Sequence, residues 1–185
     1  MPESVRPVIR PASVADAGAI ARVHVESWQT TYAGKLPQSY IDQLTVERRT
    51  AYWTSSLQRE GNVRGTFVAC DEWGNVVGFI GCGPIRAAIG SYDGEIYVVY
   101  ILESTQRLGY GRALLSAAAT HLTALGLESM MLWVLRENDN ARGFYAAMGG
   151  LDLGAERTEV LHGLTVSESA YGWPSLRNLL GWLER

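Results

Sequence analysis

The sequence predicts an α/β domain, or α+β by a stricter definition, in which helices flank a mixed β-sheet. Two observations support this prediction. Seven extended segments are mixed with amphipathic helical segments, and some extended segments are adjacent whereas others are separated by a helix. The 185 residues have an ordinary globular composition, with 47% hydrophobic and 19% charged side chains. The sequence contains no internal repeat or linker, so a single domain over residues 1–185 is expected.

The first third of the chain is predicted to be mainly helical. Residues 5–11 form a short strand, and the segment that starts at Ser13 resembles a capping box that opens a helix. Side chains spaced by three and four positions share the apolar face of that helix: Ala17, Ile20, Ala21, His24 and Trp28. A loop over 30–37 and a helical region over 38–59 follow.

The middle of the chain is predicted to consist of strands followed by a helix. Residues 66–70 and 76–81 are apolar and extended, and the turn residues between them predict a β-hairpin. Residues 95–102 are rich in aliphatic, β-branched and aromatic side chains, which is typical of a central strand. A helix is expected from Gly109 to Gly126, because glycine is a common C-terminal stop.

The last third is predicted to return to strands. A buried strand over 129–135 and a short helix over 138–148 are followed by two strands, 151–160 and 163–172, which are expected to pair as a hairpin. A terminal helix is expected over 174–184.

Composition and charge exclude several classes of protein. The net charge is −3 and the longest basic run is Arg48 and Arg49, so the sequence does not indicate a nucleic-acid-binding surface. No apolar stretch reaches the ~18 residues of a membrane span, and the N-terminus lacks the apolar core of a secretory signal. Cys70 and Cys82 lie in apolar runs, which predicts buried thiols and a cytoplasmic protein. The histidines and cysteines lack metal-ligand spacing, so no metal site is expected.

The most informative local motif is the stretch QRLGYGRA, which starts at Gln106 between a predicted strand and a predicted helix. Gly109 and Gly111 let the backbone turn tightly and come close to a ligand. The start of the helix offers free N–H groups and the positive end of its dipole, which suits a phosphate. Arg107 and Arg112 add charge-assisted donors. The alternative is an ordinary strand-to-helix turn.

Two other phosphate-binding motifs do not fit this stretch. A dinucleotide fingerprint requires a third glycine where the chain has Leu114. A nucleoside-triphosphate loop requires a lysine, and the only lysine of the chain is Lys35.

At this motif the sequence resembles the GNAT superfamily of N-acetyltransferases, which use acetyl-CoA. The family signature Q/R-x-x-G-x-G/A is matched by Gln106, Gly109 and Gly111. A second family block, N-x-x-A-x-x-F-Y, follows in the expected order and is matched by Asn138, Ala141, Phe144 and Tyr145. The resemblance covers about residues 5–172. The chain departs from many family members at Glu103, where they have proline, and at Arg107, where they have glycine.

The resemblance implies acetyl-CoA as co-substrate, without a metal, in a twisted mixed sheet that splays between the strands at 95–102 and 129–135. The backbone of Ile101 and Leu102 would bind the pantetheine, and Asn138 would contact the cofactor arm. Main-chain amides of one loop would hold the pyrophosphate: Arg107, Leu108, Gly109, Tyr110, Gly111 and Arg112. The Gln106 side chain either joins them or only stabilises the loop.

Acetyl transfer to an amine requires a proton acceptor, donors to the oxyanion and a proton for the leaving thiolate. The family usually uses a carboxylate on the central strand as the base. Glu95, 11 residues before Gln106, has a similar spacing. The alternatives are that Glu95 caps a strand end or binds a cationic substrate. Tyr145 is expected near the cofactor sulfur as an acid or thiol-orienting group, and core packing is the alternative.

The acceptor site is less specified by the sequence. Trp28 and Tyr32 occupy the region where the family's first helix and following loop wall this site, and aromatic rings suit a cationic amine, although both residues also fit a core. The expected function is acetyl transfer to a primary amine of a small molecule within a ternary complex. The alternatives are a non-catalytic acyl-CoA-binding sensor module and an acetyltransferase for peptide or protein amines. A homodimer is a possible state, because dimers are common in the family.

Overall fold

The computed structural model describes residues 7–34, 36–59, 61, 63–161 and 164–184. Parts of three predicted segments lie outside these residues: positions 5 and 6 of the first strand, position 35 of the first loop, and positions 162 and 163 at the last hairpin.

The described residues form seven strands and six helices, which confirms the predicted fold class. The strands are β1 (Val8–Pro11), β2 (Gly65–Cys70), β3 (Val76–Pro84), β4 (Gly94–Ile101), β5 (Met130–Leu135), β6 (Leu151–Leu161) and β7 (Leu164–Trp173). The helices are α1 (Ala17–Tyr32), α2 (Gln38–Ile41), α3 (Val46–Arg59), α4 (Tyr110–Ala124), α5 (Asp139–Ala147) and α6 (Leu176–Leu183). The strand order is β1-β2-β3-β4-β5-β7-β6, and the sheet is mixed because β4 and β5 are parallel whereas β1–β2, β5–β7 and β6–β7 are antiparallel.

The chain divides into two compact units. The first contains the described residues up to Gly81 together with Val98–Ala118, and the second contains Cys82–Tyr97 together with the described residues from Ala119 onward.

The first unit is built on α1, whose start is fixed by polar contacts. The Ser13 N–H donates to Asp16 Oδ2 over 2.8 Å, as the predicted capping box requires, although the first turn is a 3-10 turn. Arg10 donates to both Asp16 oxygens over 2.8 and 2.7 Å, and this guanidinium holds the pKa of Asp16 well below its usual range. The buried face of α1 then packs in a core with Trp53 of α3 and Phe79 of β3.

The helical region predicted over 38–59 is two helices. α2 ends at Ile41, and α3 begins at Val46. Between them the Thr45 hydroxyl accepts the Arg48 N–H over 3.3 Å, which caps the first turn of α3. α1 also continues to Tyr32, two residues beyond the predicted start of the loop.

The predicted hairpin of β2 and β3 is confirmed, and its turn is held by one carboxylate. Asp71 Oδ1 accepts the N–H groups of Trp73 and Asn75 over 3.0 and 2.7 Å. Gly74 has a φ of +84°, which a residue with a side chain rarely adopts. Cys70 at the end of β2 and Cys82 of β3 are buried, as predicted, and neither forms a disulfide in the described part of the chain.

The second unit is centred on β5. Residues Gly94–Ile96 of β4 pair in parallel with Met130–Leu132, and the register stops there, at the strands between which the sequence predicts a splay. A side chain at Gly94 would lie 2.7 Å from the Ser129 carbonyl oxygen, so this close pairing requires glycine. The Asp93 carboxylate accepts the N–H and the hydroxyl of Ser129 over 2.9 and 2.7 Å, which ties the starts of the two strands together.

The other edge of β5 pairs with β7, from Met130 opposite Trp173 to Leu135 opposite Glu168. β6 and β7 form the predicted hairpin. Within the residues described, no helix is long and apolar enough to cross a membrane.

Candidate active site

The QRLGYGRA stretch forms the loop between β4 and α4. The Leu102 N–H donates to the Val77 carbonyl over 2.9 Å, so this donor belongs to the sheet. The Gln106 side chain donates from Nε2 to the Ile101 carbonyl over 3.3 Å, which ties the loop back to the strand that precedes it. The contact supports a loop-stabilising role for Gln106. The Leu102 carbonyl accepts both the N–H and the hydroxyl of Thr105.

The backbone of this loop has two left-handed residues. Arg107 has a φ of +62° and Gly109 a φ of +90°. Arg107 is the one non-glycine residue with a positive φ in the described part of the chain. Left-handed residues next to a helix start turn successive N–H groups toward one concave surface, which is the arrangement that binds anions. These two residues turn the backbone sharply just before α4.

α4 begins directly after this loop and adds further donors. The Gly109 carbonyl accepts the Ala113 N–H over 3.1 Å as the first helical bond, so the N–H groups of Tyr110, Gly111 and Arg112 precede the helical ladder. The first turn of α4 contains no acidic residue and includes Arg112. Leu108 is 60% exposed, whereas Tyr110 is buried, and burial raises the pKa of the Tyr110 hydroxyl.

Glu95 lies on β4 in the second unit and is only 2% exposed. Its carboxylate is held by Arg86, which the sequence analysis did not single out. Arg86 donates from Nη2 to Oε1 over 2.5 Å, from Nε to both oxygens over 3.1 and 3.2 Å, and from its backbone N–H to Oε2 over 2.9 Å. Hydrogen bonding to Glu95 raises the pKa of Arg86, so this guanidinium is permanently charged. Both oxygens of the candidate base are therefore engaged in an ion pair.

Asn138 and Tyr145 belong to α5. The Asn138 side chain accepts the Ala141 N–H over 3.1 Å and so forms the N-cap of α5, which accounts for the asparagine of the motif. Tyr145 is buried, and its ring lies 6.2 Å from the rings of Tyr171 and Trp173. This environment agrees with core packing of the Tyr145 ring, and it leaves the role of the hydroxyl as a prediction.

Trp28 and Tyr32 are buried in the first unit, with ring centroids 4.5 Å apart. The Trp28 Nε1–H donates to the Tyr100 hydroxyl over 2.7 Å. The ring of His24 stacks on that of Tyr100 at 4.9 Å. The helical spacing of α1 predicts the shared face of His24 and Trp28, but no sequence signal joins them to Tyr100.

His24 is neutral and part of the core. Its Nδ1 accepts the Trp53 Nε1–H over 3.3 Å, so the neutral ring carries its proton on Nε2. Burial, with a smaller contribution from the charge of Arg49, lowers the pKa of His24 to about 3. Across the described residues, no group of three or more His, Cys, Asp or Glu side chains is arranged to hold a metal ion.

The predicted residues thus fall into two sets. Ile101, Leu102 and the loop residues from Gln106 to Arg112 lie together in the first unit, which also contains Trp28 and Tyr32. Glu95, Asn138 and Tyr145 lie in the second unit, where Arg86 joins Glu95. Arg86 could not be recognised from the sequence, because a lone arginine nine residues before a glutamate matches no spacing rule.

Comparisons with known proteins agree with the motifs. A model of the acetyltransferase (GNAT) family matches residues 24–150. The chain is 39% identical over 177 residues to the uncharacterized N-acetyltransferase YuaI of Bacillus subtilis strain 168, which covers 96% of this chain and 98% of that protein.

Solved structures share the fold at lower identity. One is the PaiA N-acetyltransferase from Thermoplasma acidophilum in complex with coenzyme A, with a TM-score of 0.63 and 21% identity over 89% of this chain and 98% of that one. Another is a GNAT superfamily phosphinothricin acetyltransferase from Sinorhizobium meliloti in complex with acetyl-CoA, with a TM-score of 0.68 and 22% identity over 91% of this chain and 88% of that one.

Proposed function

The chain belongs to the acetyltransferase (GNAT) family and is an acyltransferase, and from that premise we propose that it transfers the acetyl group of acetyl-CoA to a primary amine of a small molecule. Transfer is direct, within a ternary complex of enzyme, acetyl-CoA and amine. A cytoplasmic location is part of the proposal, and two buried thiols that form no disulfide among the described residues support it.

The observation that carries the proposal is the backbone of the loop from Gln106 to Arg112. Arg107 and Gly109 are left-handed, and α4 begins at Tyr110 with no acidic residue in its first turn. Backbone N–H groups at such a turn and helix start bind a pyrophosphate well, because they need no side chain and the helix dipole favours the negative charge. The loop amides from Arg107 to Arg112 hold the pyrophosphate in this proposal.

Acetyl-CoA supplies the acetyl thioester, and the protein supplies groups that move protons. The amine nitrogen forms a bond to the acetyl carbon, the carbon–sulfur bond breaks, and the ammonium proton passes to Glu95, directly or through water. An oxyanion donor is assigned to a main-chain N–H near Ile101. The departing thiolate takes a proton from the Tyr145 hydroxyl; the tyrosinate then regains a proton from water, and Glu95 releases its proton to water.

Two roles of Glu95 are to be separated, that of the base and that of an anchor for a cationic acceptor. Loss of a base lowers kcat, whereas loss of an anchor raises KM for the amine and leaves kcat in place. Trp28 and Tyr32 are proposed to line the acceptor site, which their shared face on α1 supports.

Binding of acetyl-CoA to the loop is tested by the substitution Gly111→Glu. A ligand that binds only the native state raises the melting temperature, by the equivalent of about 2.7 kcal/mol at one hundred times the Kd. Acetyl-CoA should stabilise the wild-type protein and should not stabilise Gly111→Glu, because the added carboxylate blocks the backbone and repels the pyrophosphate. Thermal shift and isothermal titration measure both effects.

The matched control is Gly18→Glu, which adds the same carboxylate on α1 at a glycine where a Cβ meets no atom within 4 Å. It should keep the full thermal shift. Wild-type affinity in Gly111→Glu would remove the loop from the binding site. Release of free thiol with a panel of amines separates a transferase from a sensor module, since a sensor binds acetyl-CoA and releases none.

A further inference from the structure

The guanidinium of Arg86 is held rigidly on one edge and is open on another. Nε, Nη2 and the backbone N–H of Arg86 all donate to Glu95, which is 2% exposed. The guanidinium carbon lies 4.7 Å above the ring of Tyr97, and the Tyr97 hydroxyl donates to the Pro84 carbonyl over 2.6 Å. The ring is therefore fixed as well. The flat face and one edge of the cation are positioned before any ligand arrives.

The other edge of Arg86 remains available. The side chain is 51% exposed, and Nη1 has no hydrogen-bond acceptor among the described residues. Glu159 is another acidic group whose charge acts on Arg86, but it lies 3.2 Å from Arg157 and is paired there. A guanidinium that presents a free edge in a fixed orientation recognises a carboxylate or similar anion with two parallel hydrogen bonds.

The ion pair with Arg86 also changes which acceptors Glu95 can attract. A buried carboxylate without a partner would favour any cationic acceptor. Once Arg86 neutralises it, the pair has no net charge, so an acceptor with only an ammonium group gains little electrostatic attraction from the pair. An acceptor that carries an amine and an anion close together complements both members of the pair.

We infer that Arg86 binds an anionic group of the acceptor, and that the acceptor is therefore a carboxylate-bearing amine of the amino-acid class. The inference rests on the proposed acetyl transfer and specifies its substrate. A carboxylate on Arg86 places the neighbouring amine close to Glu95, the group proposed to take its proton. Specificity for this class follows from the two hydrogen bonds that an amide or a simple amine cannot make in the same way.

The test compares acceptors that share one side chain and differ only in the anion: an L-amino acid, its amide and its decarboxylated amine, with the side chains of phenylalanine, methionine and glutamine. Thiol release from acetyl-CoA gives kcat/KM for each acceptor. The wild-type protein should prefer the best amino acid over its amide by about 10- to 100-fold, the size of one charge-assisted contact. Arg86→Gln should bring this ratio close to one.

Two comparison variants separate anion binding from support of Glu95. Glu95→Gln should lower kcat by ~10²–10⁴ for all three acceptors, because it removes the base, and the ratio should stay above one, because Arg86 keeps its positive charge. Arg177→Gln, the same change at an exposed arginine of α6, should leave both rate and ratio as in the wild type. A uniform loss in Arg86→Gln would show that Arg86 acts only through Glu95 and would overturn the inference.

Equal use of amino acid and amide by the wild-type protein would also overturn it. Failure of the proposed function has a different signature, because no acceptor would then release thiol. Thermal shift in the presence of coenzyme A decides that case: stabilisation by an amino acid and not by its amide, lost in Arg86→Gln, supports the anion site. No stabilisation by any of the three amino acids, in a protein without turnover, rejects it.

Discussion

Tyr145 has a buried ring and a hydroxyl that is proposed to protonate the leaving thiolate. Its ring packs edge-on against Trp173 and lies near Tyr171, so truncation of the whole side chain would open a cavity in α5 and its neighbours. Phenylalanine keeps the ring and removes only the hydroxyl. A test of function at this position therefore requires phenylalanine rather than alanine.

Tyr145→Phe should lower kcat by about 10- to 1000-fold, at or below the range for a general acid, because a thiolate leaves without help more easily than an alkoxide. Acetyl-CoA affinity and melting temperature should stay near the wild-type values. Steady-state kinetics and a thermal melt measure the three quantities. Wild-type turnover in a well-folded variant would return Tyr145 to a packing role.

The sequence motifs identify the positions of individual site residues, but they do not predict the contacts that those residues make. The N-x-x-A-x-x-F-Y block predicts where Asn138 stands, yet its side chain is engaged in capping α5 through the Ala141 N–H. Arg86 is outside every motif, because its importance depends on a contact with Glu95 that only the folded segment between β3 and β4 creates. Pairing of this kind has no signature in the spacing of one sequence.

The element that departs most from local rules is the loop between β4 and α4. A non-glycine residue in the left-handed region costs about 1–2 kcal/mol, and Arg107 has a φ of +62°. Glycine removes this strain but raises the entropy of the unfolded chain, which offsets part of the gain.

Arg107→Gly should therefore raise the free energy of unfolding by up to about 1 kcal/mol. The control Arg107→Ala loses the same charge and keeps the Cβ, so it should be less stable than the glycine variant by about 1 kcal/mol. Urea unfolding of the three proteins gives the comparison. An alanine variant as stable as the glycine variant would contradict a strained loop.

Periodicity predicts the long elements well and their interruptions poorly. The region over 38–59 has a helical apolar pattern throughout, so the sequence analysis does not detect the break between α2 and α3. The break is made by local contacts, chiefly the Thr45 hydroxyl that caps α3. The capping box at Ser13 was recognisable because its partner is only three residues away.

Between pH 6.5 and 4.5 we expect the stability of the molecule to depend on pH through His24. Burial lowers the pKa of His24 to about 3 in the folded state, below the reference value of 6.5 that applies to the unfolded chain. The neutral ring therefore contributes stability that is fully present above pH 6.5 and is lost as the pH falls from 6.5 toward 3. The carboxylate of Asp16, whose pKa is also lowered, acts in more acid solution, below about pH 4.

Between pH 6.5 and 4.5 the free energy of unfolding should fall with a slope of up to about 1.4 kcal/mol per pH unit. His24→Asn, whose side-chain oxygen can still accept from Trp53, should remove this slope, and His121→Asn should retain it. Urea unfolding at each pH provides the curves. A wild-type protein of constant stability over this interval would contradict the assignment to His24.

For the whole molecule, the sequence predicts the number and type of strands and the hairpin of β6 and β7. It does not predict that β7, rather than β6, lies beside β5. The hairpin joins two strands that are adjacent in sequence, so turn residues predict it. The choice between β6 and β7 depends on pairing with Met130–Leu135, tens of residues away in sequence, where local patterns carry no information on register.

The two compact units interleave along the chain, and this affects how the gene can be divided. The chain leaves the first unit after Gly81, returns at Val98 and leaves again after Ala118. A stop codon after Gly81 deletes part of the first unit. A stop codon after Ala118 retains the first unit but removes β5, the strand with which Gly94–Ile96 pair. Recombination with a homologue that exchanges one unit intact requires three breakpoints. Chimeras made with a single crossover will therefore mix parental sequences inside at least one unit.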